Sequence, residues 1–251
     1  MRKDALDTIP HISNPLSKRR MALTAELVAK CFRVECDPGR ETQWTALTDA
    51  DFTKISEGIL REAGDEPLWV FAYGSLIWKP GFDSTARQRA TAYGWHRAFT
   101  LKINSWRGSP DQPGLMMALS RGGRCDGVIY RMQEEGKLEQ IERVLRREVD
   151  SHEMLASMRW LKVKTSDGEK KVLCFWVGHT GRSVSPLLPL PEVAKILARA
   201  CGHVGSGAEY LYNTVVHLEE FGIHDRNLWR LQELVAEEIR ALHGLPAAEA
   251  A

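Results

Sequence analysis

The stretch Trp69-Val70-Phe71-Ala72-Tyr73-Gly74-Ser75-Leu76-Ile77-Trp78 decides the fold of this chain. Trp, Val, Phe and Tyr favour a buried, pleated strand, whereas Gly74-Ser75 permits a tight turn that leaves successive backbone N–H groups free. Such N–H groups form a concave site for a carboxylate or phosphate, and the Ser75 hydroxyl and the Tyr73 phenol add donors. An ordinary turn at the end of a strand is the alternative interpretation of the same pair.

Length and composition indicate one large domain, or one domain with an appendage. The chain has 251 residues, of which 43% are hydrophobic, and this is enough for a sizeable core. A formal net charge of +1 gives no field that favours nucleic acid or an anionic membrane, so we expect neither as a partner. No stretch approaches the roughly 18 consecutive apolar residues of a membrane span.

The chain also predicts a cytoplasmic location. Its polar N-terminus lacks the apolar core of a secretion signal. The five cysteines are scattered and include no C-x-x-C pair, which is typical of reduced thiols in a reducing compartment.

Helical patterns precede the quoted stretch, and strand patterns follow it. Residues 1–20 resemble a loosely docked arm, and helices are predicted near 23–28 and 52–60, so residues 1–66 form a predicted N-terminal helical extension. Strand patterns occur at 97–103, at 115–119 and 125–132 around a Gly122-Gly123 turn, and at 158–164 and 172–177 around a second turn. Further helices are predicted at 137–152, 191–202, 208–221 and 227–243, with an irregular loop at 178–191 and an Ala-rich tail at 245–251.

Few strand–helix alternations separate these strands. The strand patterns therefore favour a largely antiparallel or mixed sheet. Closing the sheet into a barrel buries both faces of the quoted strand.

A carboxylate lies on the apolar face of the helix predicted at 137–152. That face is marked by Leu138, Ile141, Val144 and Leu145. Glu148 continues the same stripe at helical spacing. Burial raises the pKa of a carboxyl from about 4.3 toward the neutral range, where it can both take and give a proton. The alternative is a structural ion pair with Arg97 or Arg147, which perturbs a carboxylate without catalysis.

The quoted stretch resembles the opening signature of the ChaC-like γ-glutamylcyclotransferases, which degrade glutathione. The one departure is Ala72, where the family usually has Gly. Arg147-Glu148 stands at the position of the family's Arg-Glu element, although Val149 replaces the Lys that often follows. Gly205-Ser206-Gly207-Ala208-Glu209-Tyr210-Leu211 is similar to its Gly-rich Glu-Tyr-Leu element. The resemblance covers roughly residues 68–240 and implies a γ-glutamylcyclotransferase-like catalytic domain at 67–244. The fold that it implies is α+β, with a small mixed or antiparallel β-barrel and surrounding helices.

The resemblance implies a lyase that converts glutathione to 5-oxoproline and Cys-Gly, with Glu148 as the catalytic base and acid. The expected substrate-binding residues are Tyr73, Gly74, Ser75, Leu76, Ile77 and Tyr210. Tyr210 also fits an ordinary core position. Neither a metal nor a cofactor is expected, because the eight histidines show no ligand spacing and no phosphate-binding loop is present.

Two alternatives stay open. The first is a cyclotransferase that acts on other γ-glutamyl amino acids or amines. The second is a non-catalytic binding or regulatory module on the same fold. The sequence leaves the oligomeric state undetermined.

Overall fold

The structure, a computed structural model, is organised around a closed barrel of five strands. It describes residues 20–39, 44–178 and 185–247. The strands are β1 (Trp69–Ala72), β2 (Ser84–Ile103), β3 (Gly114–Met132), β4 (Arg159–Thr165) and β5 (Gly168–Cys174), in the order β1-β3-β2-β4-β5. Neighbouring strands are antiparallel, except that β1 and β5 are parallel. The predicted α+β barrel is therefore confirmed, with a mixed sheet.

The hairpin predicted with a turn at Gly122-Gly123 is wrong. Residues 114–132 form one continuous strand that pairs with β2 along its length, and the pairing register shifts between Tyr93 and Trp95. Gly122 and Gly123 have φ values of 99° and 68° next to this shift. A β-bulge needs the same positive φ that a tight turn needs, so the glycine pair alone does not distinguish them.

The barrel closes between its first and last strands. β1 is buried on both faces, with Val70, Phe71 and Ala72 fully inaccessible. Val70 pairs in parallel with Leu173 of β5. The predicted second hairpin is confirmed as β4 and β5, in which Thr165 pairs with Gly168. Because β1 and β5 run in the same direction, the residues that follow each strand emerge at the same end of the barrel.

Six helices surround the barrel in the described part of the chain. They are α1 (Ala25–Ala29), α2 (Asp49–Ala63), α3 (Lys137–Glu148), α4 (Leu190–Arg199), α5 (Gly207–Glu220) and α6 (Arg226–Leu242). A short hairpin of β6 (Cys201–Gly202) and β7 (Gly205–Ser206) joins α4 to α5. None of the described helices combines the length and the apolar character that crossing a membrane requires.

Helix α3 ends earlier than predicted. Its last residue is Glu148, and Val149 is extended, with a φ of −142°. Ser151 then forms an isolated antiparallel bridge with Ala46, and a 3-10 helix follows at His152–Ser157. The bridge to the N-terminal segment replaces the last predicted helical turn.

We retain the proposed boundaries of the N-terminal helical extension and the catalytic domain. The extension contains α1 and α2, and α2 begins with a capping box between Thr48 and Asp51. Parts of three predictions lie outside the described residues: the arm at 1–19, residues 179–184 of the predicted loop, and residues 248–251 of the tail.

A buried arginine joins the barrel to α6. The Arg97 side chain is 3% exposed, and its Nε atom lies 3.0 Å from Asp225 Oδ2 as an ion pair. Its guanidinium also donates to the Tyr73 carbonyl at 2.8 Å and to the Asp126 carbonyl. Asp225 in turn caps α6 by accepting from the backbone N–H groups of Asn227 and Leu228. Arg97 is therefore committed to this network and is not the partner of Glu148.

Replacing Asp225 by Asn is expected to lower the free energy of unfolding by about 2 kcal/mol, because the buried guanidinium loses its counter-charge. Asn still caps a helix well, so the substitution isolates the charge from the cap. Urea unfolding measures the change. Asp167→Asn, in the exposed turn between β4 and β5, serves as the control and is expected to stay within about 0.5 kcal/mol of the wild type. Equal stability of both variants would contradict the assignment.

Candidate active site

A cavity of about 330 Å³ opens at the end of the barrel where β1 and β5 finish. Most of its walls come from the loop after β1, the end of β2 with the loop that follows it, the start of β3, the end of α3, the residues after β5, and α5. Three separate predictions meet here, because Tyr73–Leu76, Glu148 and Tyr210 all line the same space. The structure thus brings together the loop and the acid that the sequence analysis singled out.

The loop after β1 is a short 3-10 helix at Ser75–Ile77. The Ile77 N–H donates to the Gly74 carbonyl at 2.9 Å, and the Lys79 N–H donates to the Ser75 carbonyl at 2.9 Å. These N–H groups are therefore used within the turn, and the predicted row of free donors is shorter than the sequence suggested. The Tyr210 phenol lies against this loop, because a Cβ atom placed on Gly74 would be only 2.6 Å from the phenol oxygen, so α5 packs directly on the turn.

Ile77 is not among the residues that line the cavity. Its side chain is buried, and its carbonyl accepts a hydrogen bond from the Tyr130 hydroxyl at 2.7 Å. Ile77 thus fixes the loop against β3. We therefore limit the proposed substrate contacts in this loop to Tyr73, Gly74, Ser75 and Leu76.

Glu148 is the last residue of α3 and turns its carboxylate toward the cavity. The side chain is 10% exposed, and Oε1 lies 3.2 Å from Arg147 Nε. Trp176 Nε1 donates to Oε2 at 3.3 Å. Burial raises the pKa of Glu148, while Arg147 and then the Trp176 hydrogen bond oppose that rise. The result is a carboxylate that is oriented, accessible from the cavity and more basic than an ordinary glutamate.

Arg147 links this carboxylate to the loop. Its Nη2 atom donates to the Ser75 hydroxyl oxygen at 2.9 Å, and its Nη1 atom donates to the Lys79 carbonyl. One guanidinium therefore contacts both Glu148 and the loop after β1. The ion pair considered in the sequence analysis exists with Arg147, yet the carboxylate still borders open space.

The Tyr73 phenol has a different role from the one predicted. Its hydroxyl donates toward the carbonyls of Phe175 and Trp176, at 3.1 and 3.2 Å. A phenol has only one proton to donate, and here that proton is donated to the backbone of the segment that follows β5. The prediction of Tyr73 as an additional donor to an anion is corrected on this point. Tyr73 instead holds the backbone of Trp176, whose indole holds Glu148.

The cavity-lining residues that sequence reasoning missed include Trp106 and Trp176. Both have left-handed backbone conformations, with φ values of 58° and 57°. Such conformations are costly for non-glycine residues and concentrate at functional sites. Trp176 is equivalent in position to Tyr73, because Val70 and Leu173 pair in parallel and each of the two aromatic residues lies three positions after its member of the pair. This equivalence is the signal that could have identified Trp176. That signal requires knowledge of the parallel pairing.

Tyr210 completes the inner end of the cavity. It lies in the first turn of α5, packed edge-on against Trp78 with ring centroids 5.7 Å apart. The Arg107 guanidinium lies over its ring at 5.5 Å and pairs with Glu209 at 2.6 Å. Burial, with a smaller contribution from Glu148, raises the pKa of Tyr210, so its phenol stays protonated as a donor.

The cavity suits a small anionic compound. Its lining carries four cationic side chains, Lys79, Lys102, Arg107 and Arg147, against the single carboxylate of Glu148. Among the described residues, no three His, Cys, Asp or Glu side chains form a group that would hold a metal ion. The cavity therefore combines cationic side chains that suit an anion with one carboxylate whose pKa is raised. Such an arrangement suits proton transfer on a bound anion.

Comparison with known proteins gives consistent matches. A family model described as ChaC-like protein matches residues 68–238. The glutathione-specific gamma-glutamylcyclotransferase of Escherichia coli (strain K12) is 33% identical over 163 residues, which cover 64% of this chain and 70% of that protein. Gamma-glutamylcyclotransferase 2-1 of Arabidopsis thaliana is 31% identical over 197 residues, which cover 70% of this chain and 88% of that protein.

A solved structure shows the same fold. The crystal structure of a yeast γ-glutamylcyclotransferase specific to glutathione superposes with a TM-score of 0.60 at 22% identity, covering 68% of this chain and 96% of that chain.

Proposed function

Because this chain belongs to the ChaC-like family, we propose that it is a γ-glutamylcyclotransferase that cleaves glutathione to 5-oxoproline and Cys-Gly. The observation that carries the proposal is the juxtaposition of the buried Glu148 carboxylate with the loop after β1 across one cavity. The names of the relatives in Escherichia coli and Arabidopsis thaliana support the same reaction class.

The reaction needs one group that takes a proton and gives it back. Glu148 removes a proton from the α-ammonium group of the γ-glutamyl moiety, and the freed amine attacks the γ-amide carbonyl carbon. A new C–N bond closes the five-membered ring. The original amide C–N bond then breaks as Glu148 returns the proton to the leaving nitrogen. The attacking nitrogen loses a second proton when it becomes the lactam N–H, and Glu148 passes this proton to the leaving amine as well, so Cys-Gly departs as an ammonium.

Binding geometry supplies much of the acceleration. The nucleophile and the electrophile belong to one molecule, so the site must only hold that molecule folded. Ser75 and Arg147 face the cavity beside Glu148 and are suited to bind the substrate α-carboxylate. The Tyr210 phenol is suited to donate to the carbonyl oxygen as negative charge develops there.

The direct test is chromatographic detection of 5-oxoproline after incubation of purified protein with glutathione. γ-Glutamyl-alanine is the comparison substrate, because it tests the second candidate, a cyclotransferase for γ-glutamyl amino acids or amines. Higher kcat/KM for glutathione supports the proposal, and equal or better use of γ-glutamyl-alanine favours that candidate. Absence of 5-oxoproline with both would favour a binding module.

We also propose a cytoplasmic location. The five cysteines are all free thiols, which suits a reducing compartment.

Replacing Arg147 by Met is expected to move the acid limb of the kcat/KM profile to higher pH. The Arg147 charge lowers the pKa of Glu148, so its removal raises that pKa, and a general base is active only when deprotonated. At neutral pH we expect kcat/KM to fall about tenfold, because a charge-assisted hydrogen bond is lost as well. Glutathione turnover measured from pH 5 to 9 gives both quantities.

Arg146→Met is the matched control for this variant. Arg146 is adjacent in sequence, but its guanidinium pairs with Asp49 at 2.9 Å and lies over the Phe52 ring, away from the cavity. Its profile is expected to match the wild type. An acid limb of Arg147→Met at or below the wild-type position would show that Arg147 does not set the basicity of Glu148.

A further inference from the structure

One wall of the cavity comes from outside the matched family region. Trp44 lines the cavity, although the family match begins at residue 68. Its side chain is half-buried and packs against the hydrophobic core. The N-terminal extension therefore contributes directly to the proposed active site.

The position of Trp44 is coupled to the segment that carries the base. Residues 45–47 pair with residues 150–152 through an Ala46–Ser151 bridge and two backbone hydrogen bonds of 3.0 and 3.1 Å. The Thr45 N–H also donates to the Glu153 carboxylate at 3.0 Å. These partners begin two residues after Glu148, so the backbone next to Trp44 is tied to the segment that follows the carboxylate.

The extension contacts a second part of the cavity rim. Arg33 Nη1 donates to the Arg199 carbonyl at 2.8 Å, and Asp37 lies 3.7 Å from His203. His203 precedes Val204, which lines the cavity. The described parts of the extension are thus held against both the α3 side and the β6–β7 side of the site.

Burial separates the floor of the cavity from its rim. Tyr73 and Tyr210 are 7% and 3% exposed, and Glu148 lies with them at the floor. Val204 is 53% exposed, and Trp44 is half-buried, so these two lie at the rim. A γ-glutamyl group that reaches Glu148 fills the floor, and the remainder of the substrate must extend past the rim.

We propose that Trp44 is a specificity-determining residue that contacts the leaving part of the substrate, beyond the γ-glutamyl group. This inference rests on the proposed function. An indole face favours apolar contact and sulfur–aromatic contact. Trp44 therefore selects γ-glutamyl peptides whose second residue carries a thiol or another apolar side chain over γ-glutamyl amino acids with small side chains.

The test compares kcat/KM of Trp44→Ala on three substrates: glutathione, its analogue with 2-aminobutyrate in place of cysteine, and γ-glutamyl-alanine. We expect about a tenfold loss for the two tripeptides, mainly through KM, and less than about a twofold change for γ-glutamyl-alanine. Trp44→Phe keeps an aromatic face and is expected to recover most of the loss. The acid limb of the pH profile should not move, because Glu148 keeps its surroundings.

Phe32→Ala is the matched control on the same extension. Phe32 is 63% exposed and does not line the cavity, so its truncation is expected to leave all three values unchanged. An equal loss on all three substrates in Trp44→Ala, or no loss on any, would overturn the inference.

A binding measurement separates this inference from the proposed function. If the wild type releases no 5-oxoproline from any of the three compounds, the proposed function fails. Calorimetric titration of glutathione and γ-glutamyl-alanine into Glu148→Gln and Trp44→Ala/Glu148→Gln still decides the role of Trp44. A Kd about tenfold weaker for glutathione alone supports that role, and unchanged Kd values overturn it.

Discussion

Replacing Glu148 by Gln is expected to lower kcat for 5-oxoproline release by about 10³-fold, because a carboxamide cannot take the proton from the substrate ammonium. Gln keeps the shape of the side chain and still accepts a hydrogen bond from Trp176, so glutathione should still bind. Single-turnover assays and calorimetry measure the two effects separately. A kcat within tenfold of the wild type would eliminate Glu148 as the base.

The same substitution has a second signature in stability. Burial raises the pKa of Glu148 above its ordinary value, so at a pH above that ordinary value the native state binds more protons than the unfolded state. The wild type therefore loses stability as the pH rises from the ordinary pKa through the raised pKa. Glu148→Gln lacks this loss, and we expect it to be at least as stable as the wild type at pH 7, with a smaller advantage at pH 4.

Glu142→Gln is the matched control for both measurements. Glu142 lies on the same helix, but its carboxylate accepts from the Thr53 hydroxyl at 2.7 Å and does not border the cavity. Normal turnover in this variant separates the effect of the base from a general effect of charge on α3.

Replacing Gly74 by Ala is expected to lower kcat/KM about 100-fold and the free energy of unfolding by about 2 kcal/mol. A Cβ atom at this position would lie 2.6 Å from the Tyr210 hydroxyl oxygen, closer than van der Waals contact permits. Tyr210 is packed between Trp78 and Phe99, so it has no room to withdraw. The loop and α5 must separate, and this opens the anion-binding end of the cavity.

A second substitution tests that explanation. In Gly74→Ala/Tyr210→Phe the offending oxygen is absent, and the nearest ring atom, Cζ, would lie 3.7 Å from the new Cβ. We expect Tyr210→Phe to cost less stability in the Gly74→Ala background than in the wild type. Strict additivity in urea unfolding would refute the steric explanation. Gly58→Ala, in α2 with its nearest neighbour at 3.9 Å, is the control and is expected to be neutral or stabilising.

Several parts of this site could be predicted because local pattern and local structure agree. The apolar run that ends at Gly74-Ser75 indicated both the buried strand and the turn. Glu148 could be identified because the apolar stripe of a helix indicates which of its side chains face inward. Tyr210 was predicted to line the site through the family resemblance, and the structure places it in the cavity wall.

Other parts depend on contacts between distant segments. The hydroxyl of Tyr73 and the indole of Trp176 meet only because β1 and β5 are parallel neighbours. Trp44 reaches the cavity only because residues 45–47 pair with the segment that follows α3. The Gly122-Gly123 pair is compatible with a tight turn and with a β-bulge, because both need positive φ values. Pairing with the neighbouring strand determines which of the two forms.

The parallel pairing of Val70 with Leu173 also has a consequence for folding kinetics. It joins residues that are far apart in the chain, and such long-range pairings form late because closing a long loop has a high entropic cost. Since Tyr73 and Trp176 acquire their places only through this pairing, an intermediate with an unclosed sheet would lack an oriented base. Recovery of turnover during refolding should therefore lag behind the recovery of helical circular dichroism.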